Sequence, residues 1–209
     1  MGMGEWEYAN GSDLVTDGDA QVDVVEVYVE ALAVFGNTVR DVEEHEWDLP
    51  TPCHDWNIKE VVAHVVLGEA ALPSVLAGEM NTTQAAFGPE LLGSNPLMSW
   101  RGTALRAIEA AREPGVAERV FELDMGAVTG EQLLNYRITD NVVHAWDIST
   151  GAGRPTPIAE PQANWLLDFW MPAAAEMGDS PFFAKPLHPA SDSASDRLLA
   201  LLGRAPHVD

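Results

Sequence analysis

The sequence is short of three things: cysteine, basic side chains and long apolar runs. Cys53 is the one cysteine, so an internal disulfide is excluded and a reducing compartment is favoured. No apolar run reaches the roughly 18 residues of a membrane span, and the first residues, MGMGEWEYANGSD, lack the basic start of a secretory signal. We therefore expect a cytoplasmic protein that has no membrane partner.

The shortage of basic residues excludes a further class of partner. The 209 residues include 33 aspartates and glutamates against 11 lysines and arginines, which gives a formal net charge of -22. A surface of this charge repels phosphate backbones, so we expect no nucleic-acid partner. The acidity otherwise indicates little more than a well-solvated surface.

Apolar periodicity predicts a helical protein. Residues 1–20 are acidic and poor in apolar groups, and we expect a flexible leader there. Beyond them, apolar residues recur every three or four positions in four long segments. These segments span about residues 21–47, 58–78, 96–113 and 130–150, and a short extended piece, ERVFEL, precedes the fourth.

This pattern predicts an all-α fold. We expect an antiparallel four-helix bundle over residues 21–151, with a C-terminal helical extension over residues 152–209 packed on it. Two helix starts are well defined, because Asn57 with Glu60 and Thr129 with Gln132 each fit a capping box.

The fourth helix carries the strongest chemical signal, a polar stripe on a largely apolar helix. Asp140 and His144 lie one turn apart, and Arg137 and Asp147 extend the same face. A carboxylate and an imidazole at this spacing can bind one cation, and zinc accepts both. A catalytic zinc site needs a third protein ligand, and His64 on the second helix is the candidate.

Other interpretations of these residues remain open from the sequence. The stripe could be the solvent face of its helix, with Asp140 and His144 a surface pair. His64 could be a hydrogen-bonded core residue, and Asp147 could orient a histidine or be merely exposed. Cys53 fits a small packed residue better than a nucleophile. The four remaining histidines are interpreted as surface residues: His45, His54, His188 and His207.

Three segments together resemble a known family: TPCHDWNIKEVVAHVVLG, NYRITDNVVHAWDISTG and SASDRLLALLGRAP. They are similar to actinobacterial proteins related to the N-terminal domain of mycothiol-dependent maleylpyruvate isomerase, within the DinB/YfiT-like metal-binding superfamily. The resemblance implies an up-down-down-up bundle whose metal is held by His64, Asp140 and His144. It also implies a glutamate where this chain has Asp140, and that difference shifts the metal by about one carbon–carbon bond.

The resemblance further implies a thiol enzyme. A divalent metal, zinc or else nickel or iron, would activate a low-molecular-weight thiol such as mycothiol for S-transfer to an electrophile or for isomerisation. Arg137 is then a candidate catalytic and cofactor-binding residue, unless it pairs with nearby acids. Trp56 is a candidate cofactor-binding residue, unless it packs in the core. The alternative is a non-catalytic metal-binding bundle, and NWLLDFWMPAAAEM could form a homodimer contact.

Overall fold

The computed structural model describes residues 23–53, 55–79, 88–123, 126–175 and 184–205. The predicted leader, residues 1–20, lies outside these ranges. Six α-helices occur within the described ranges: α1 (Val24–Arg40), α2 (Ile58–Leu76), α3 (Pro96–Ala111), α4 (Gly130–Gly151), α5 (Glu160–Trp170) and α6 (Ala194–Leu201). None of these helices is both long and apolar enough to cross a membrane.

The two helices that carry the candidate ligands begin where the sequence predicts. Asn57 accepts a hydrogen bond from the backbone of Glu60, whose side chain accepts one from the backbone of Asn57. Thr129 and Gln132 make the same reciprocal pair at the start of α4. Each box satisfies two backbone donors that a helix start leaves unpaired. Residues next to each helix start therefore determine where the helix begins, and the first residue in turn determines which side chains lie on which face.

The first helix is shorter than predicted. Its apolar pattern continues towards Trp47, but α1 ends at Arg40. Arg154, which follows α4, donates a hydrogen bond to the carbonyl of Asp41 and pairs with the carboxylate of Glu46. These long-range contacts hold the residues after Arg40 in turns, and a sequence pattern does not reveal them.

The prediction of an all-α fold is wrong in one respect, since a small antiparallel sheet precedes α4. Strand β1 (Val120–Leu123) pairs with β2 (Gly126–Thr129), with Val120 opposite Thr129. The predicted extended piece contains β1, whereas the pairing strand was not predicted. Phe121 and Val128 face each other and are buried, so the sheet adds apolar area to the core.

The core is formed by packing of the helices on one another. Helix α1 packs against α3 and α4, and α2 packs against the same two helices. Tyr28 and Phe35 of α1 are fully buried. Helix α5 packs against α4 and α6, and Leu166 and Leu198 join the same hydrophobic cluster as α1 and α4. The molecule is thus mostly helical, and α2 and α4 lie side by side.

Candidate metal site

Three predicted ligands converge at the contact between α2 and α4. Asp140 lies between two imidazoles: its Oδ2 is 3.5 Å from Nε2 of His64, and its Oδ1 is 4.0 Å from Nε2 of His144. The two imidazole rings meet edge to face with centroids 5.2 Å apart. One donor atom from each residue lies within 4.8 Å of the others. The structure therefore brings together the three residues that the sequence singled out.

The polar stripe of α4 is not a solvent face. The side chain of Asp140 is 28% exposed, while that of His144 is 7% exposed and that of Asp147 is fully buried. His64 is the most open of the three candidate ligands, with a side chain that is 34% exposed. The cluster thus lies at the protein boundary, closed on the His144 side and open on the side of His64 and Asp140.

His144 is held in one orientation by a buried carboxylate. Its Nδ1 lies 2.9 Å from Oδ2 of Asp147. Burial would raise the pKa of Asp147, but the hydrogen bond from His144 and the charge of Arg204 outweigh it, so the pKa is lowered. An ionised carboxylate only accepts hydrogen bonds, so the proton of the imidazole is on Nδ1. Nε2 is the ring nitrogen that faces Asp140, and the alternative of an exposed Asp147 is wrong.

Arg137 is already paired within the protein. Its guanidinium donates to Asp140 Oδ2 at 2.5 Å, and to Glu69 Oε1 at 2.8 and 3.1 Å. Burial would raise the pKa of Asp140, but Arg137 and the two histidines outweigh it, and the pKa lies below its usual range. The interpretation of Arg137 as a partner of nearby acids therefore agrees with the structure. Its catalytic and cofactor-binding roles stay predictions.

Glu69 is a site residue that sequence reasoning missed. It is fully buried, and besides Arg137 it accepts hydrogen bonds from the hydroxyl of Tyr28 and, at 2.7 Å, from the amide of Asn141. Every partner is a donor, so both oxygens of Glu69 act as hydrogen-bond acceptors. A signal was present, because Glu69 interrupts an apolar row along α2. That row consists of Val62, Val65, Leu72 and Leu76.

A second group of donors shares His144 with the first. Cys53 and Asp147 also place one donor atom each within 4.8 Å of His144. Arg204, which follows α6, covers this group: it contacts both oxygens of Asp147 at 3.1 and 3.4 Å and donates to Cys53 Sγ at 3.7 Å. Burial raises the pKa of the Cys53 thiol to about 11. A protonated thiol beside a guanidinium is a poor place for a cation.

Trp56 lies against the two histidines. Its ring centroid is 4.9 Å from that of His64 and 6.3 Å from that of His144. Trp56 also lines an open cleft of about 520 Å³. Trp56 is partly buried against a second hydrophobic cluster, which includes Phe35, Ile58 and Val61. Packing therefore accounts for part of its role, and its cofactor-binding role stays a prediction.

The remaining histidines lie away from the cluster where they are described. His45 and His188 are exposed, as predicted. His54 and His207 lie outside the described residues, so their predicted surface positions stay predictions.

Comparison with known proteins identifies the family. The family model described as the mycothiol maleylpyruvate isomerase N-terminal domain matches residues 28–149, which is more than half of the chain. The protein therefore belongs to this family, and the predicted resemblance is confirmed. The matched range includes all three candidate ligands.

Individual relatives agree with this assignment. Two uncharacterised proteins of Mycobacterium tuberculosis, from strains CDC 1551 and H37Rv, are each 27% identical over 191 residues, covering 88% of this chain and 98% of each relative. Two crystal structures of the mycothiol-dependent maleylpyruvate isomerase, one of them of a mutant, cover 74% of this chain and 68% of theirs. Their TM-scores are 0.55 and 0.54 at 16% and 17% identity, which shows a shared fold.

Proposed function

We propose that this protein binds one divalent metal ion, zinc in the first instance, through His64, Asp140 and His144. The metal site serves to activate a low-molecular-weight thiol, which is transferred to an electrophile or adds to it reversibly to drive an isomerisation. One observation carries the proposal: buried Asp147 fixes His144 so that its free nitrogen faces Asp140, and orientation of a metal-binding histidine by a carboxylate is a recurrent arrangement.

The spacing of the donor atoms supports a zinc ion. Two ligands of a tetrahedral zinc, each about 2.1 Å from the metal, lie about 3.4 Å apart. The corresponding distances are 3.5 Å from Oδ2 of Asp140 to His64 and 4.0 Å from its Oδ1 to His144, and one donor atom of each residue lies within 4.8 Å of the others. The three side chains must therefore move closer together to bind one ion. Nickel and iron also accept imidazole and carboxylate ligands. Three protein ligands on a partly exposed site leave a position for a further ligand.

The charges around the cluster support a divalent cation with one anionic ligand. Three carboxylates, those of Glu69, Asp140 and Asp147, face the two guanidinium groups of Arg137 and Arg204. One negative charge is therefore in excess. A divalent cation together with one thiolate would cancel it, and a neutral assembly is favoured where the surroundings are partly desolvated.

Each residue near the cluster then has a defined task. Bound zinc would supply the Lewis acidity that keeps a thiol deprotonated near neutral pH. Asp147 keeps the proton of His144 on Nδ1, and Arg137 holds the carboxylate of Asp140 in place. Trp56 lies beside both histidines and, in this proposal, contacts the thiol. The guanidinium of Arg137 is engaged by Glu69 and Asp140, which favours a positioning role for Arg137 over contact with the substrate.

The family supports the choice of thiol. The solved relatives are named as mycothiol-dependent, and we propose mycothiol as the thiol of this protein, in a cytoplasmic setting. We further propose that helices α1 to α4 form the bundle in up-down-down-up order, with residues 152–209 as an extension. A homodimer through α5 is part of the same proposal.

A cobalt-substituted sample tests the proposal against the alternative of a metal-binding protein without catalysis. We expect mycothiol to add a thiolate-to-cobalt absorption band, because the position that the three residues leave free accepts sulfur. The S-methylated thiol, which has no ionisable S–H, is the matched control and should leave the spectrum unchanged. Cobalt binding with no response to mycothiol would instead favour sensing, storage or a structural role.

A further inference from the structure

A buried polar network extends from the cluster through Glu69 of α2 to Tyr28 of α1. Glu69 accepts hydrogen bonds from Tyr28 on α1, Asn141 on α4 and Arg137 on α4. It thus connects three helices through one carboxylate that is fully buried. Such a network is costly unless each member is paired. Oδ1 of Asn141 is nevertheless buried without a hydrogen-bond partner among the described residues. An apolar residue at position 141 would pack without this unfavourable burial, so packing alone does not explain the asparagine.

The path from Glu69 to the metal cluster passes through one side chain. The guanidinium of Arg137 contacts Glu69 with Nε and Nη2 and contacts Asp140 with Nη1. It also donates to the backbone carbonyl of Val65 at 3.3 Å. With all three nitrogens engaged, its position is determined on two sides. The position of the Asp140 carboxylate is therefore set by Arg137, and the position of Arg137 is set by Glu69.

The glycine on α2 next to Glu69 leaves room for this arrangement. A Cβ atom at Gly68 would lie 2.3 Å from Nη1 of Arg137 and 2.5 Å from its Cζ. The guanidinium is largely buried and is held by its partners, so it has little freedom to withdraw. Any side chain at position 68 would thus displace Arg137 from between Glu69 and Asp140.

We propose that Glu69 is a positioning residue of the metal site: it holds Arg137 over Gly68 so that Arg137 keeps Asp140 between His64 and His144. The inference rests on the proposed metal site. Glu69 also sets the charge, because without it the cluster has no negative charge in excess and Asp140 becomes the main counter-ion of Arg137. A metal ion would then compete with the guanidinium for the same carboxylate.

The test compares zinc affinity in matched variants, measured by competition with a chromophoric chelator. Glu69→Gln keeps the shape and the acceptor oxygen while it removes the charge, and we expect zinc to bind about 10- to 100-fold more weakly. Gly68→Ala changes no charge and should also weaken binding by displacing Arg137. Glu46→Gln is the control. Glu46 also pairs with an arginine, but that arginine is Arg154, which follows α4 in the chain and contacts none of the three candidate ligands. The zinc affinity of this variant should equal that of the wild type.

A metal-free readout separates this inference from the proposed function. In a crystal structure of the Glu69→Gln protein without metal, we expect the guanidinium of Arg137 to shift away from Gly68, and the carboxylate of Asp140 to follow it out of its place between His64 and His144. Unchanged positions of both side chains, together with zinc affinity within about twofold of the wild type, would overturn the inference. A wild-type protein that binds no zinc would refute the proposed function, and the metal-free structure would still decide whether Glu69 positions Arg137.

Discussion

Two donor groups share His144, and the contrast between them shows how an arginine decides what a carboxylate can do. Asp140 gives one oxygen to Arg137 and turns the other towards His144. Asp147 has both oxygens in contact with Arg204 and also accepts from His144. The first carboxylate retains an oxygen directed at the cluster, whereas both oxygens of the second are engaged with Arg204. The first can therefore be a ligand, and the second can only orient one.

The two donor groups also differ in how far their side chains are exposed to solvent. His64 and Asp140 are each about a third exposed, so a small molecule can reach the cluster from their side. Asp147 is fully buried, and Arg204 nearly so. The group with His64 and Asp140 is thus accessible at the surface, the group with Asp147 lies in the core, and His144 is common to both.

The largest effect should come from breaking the buried side. Arg204→Met leaves Asp147 as a buried charge without its cation, and loss of one partner of a buried pair costs about 3–5 kcal/mol. Urea unfolding would measure this loss. Arg112→Met is the matched control, because Arg112 and its partner Glu26 are both more than half exposed and exposed pairs contribute about 0–1 kcal/mol. Equal losses in the two variants would mean that Arg204 does not support the site in the way described.

A smaller effect is expected where α2 passes the exposed side. Gly68→Ala forces a methyl group against the guanidinium of Arg137, and overpacking of this kind costs about 1–3 kcal/mol. Gly102→Ala on α3 is the control, since a Cβ there would meet only ordinary contact at 3.8 Å. Alanine in a helix interior should stabilise that variant by about 0.5–1 kcal/mol. Thermal unfolding would measure the stability of both variants. A Gly68→Ala protein more stable than the Gly102→Ala protein would contradict the account.

The sequence predicted the exposed side better than the buried one. Asp140 and His144 are four residues apart on one helix, so their proximity follows from helical geometry. His64 was the histidine best placed on a neighbouring helix. Glu69 and Arg204 were missed because they meet Arg137 and Asp147 across 68 and 57 residues of chain. Contacts at that range depend on tertiary packing, which a periodicity does not encode.

The same limit explains the errors in the fold. The helices and their capping boxes were predicted, because caps and apolar faces are local features. The pairing of β1 with β2 and the early end of α1 were not, since each depends on a partner elsewhere in the chain. Arg154, which holds the residues after α1, lies 108 residues beyond Glu46.

Acid should reduce the contribution that each of the two donor groups makes to the stability of the folded protein. The pKa values of Asp140 and Asp147 are lower in the folded protein than the usual value of about 3.9. Their contributions to stability are therefore complete above pH about 4 and are lost as the pH falls through the lower folded values. The free energy of unfolding should decline below pH about 4, and less steeply in Asp147→Asn. An identical slope in the variant would contradict the lowered pKa of Asp147.

The smallest effect concerns Cys53. Burial raises its thiol pKa from 9.0 to about 11, and only the thiolate reacts, so alkylation of the folded protein at pH 7.5 should be about 100-fold slower than that of an ordinary thiol. Iodoacetamide labelling would measure this rate, with the protein unfolded in guanidinium chloride as the control. Because Cys53 is the only cysteine, the label reports on it alone. Equal rates in the two states would mean that burial does not suppress the thiolate of Cys53.

The most direct test of the metal site is the metal content of three proteins, measured by mass spectrometry. Each protein is purified without a metal-affinity step, reloaded with zinc and freed of excess ion. We expect one tightly held ion per chain in the wild type and in Cys53→Ser, and none in His64→Ala. Zinc retained by His64→Ala but lost in Cys53→Ser would place the metal in the group that Arg204 covers and contradict the account. No zinc in any of the three would leave the cluster without a metal.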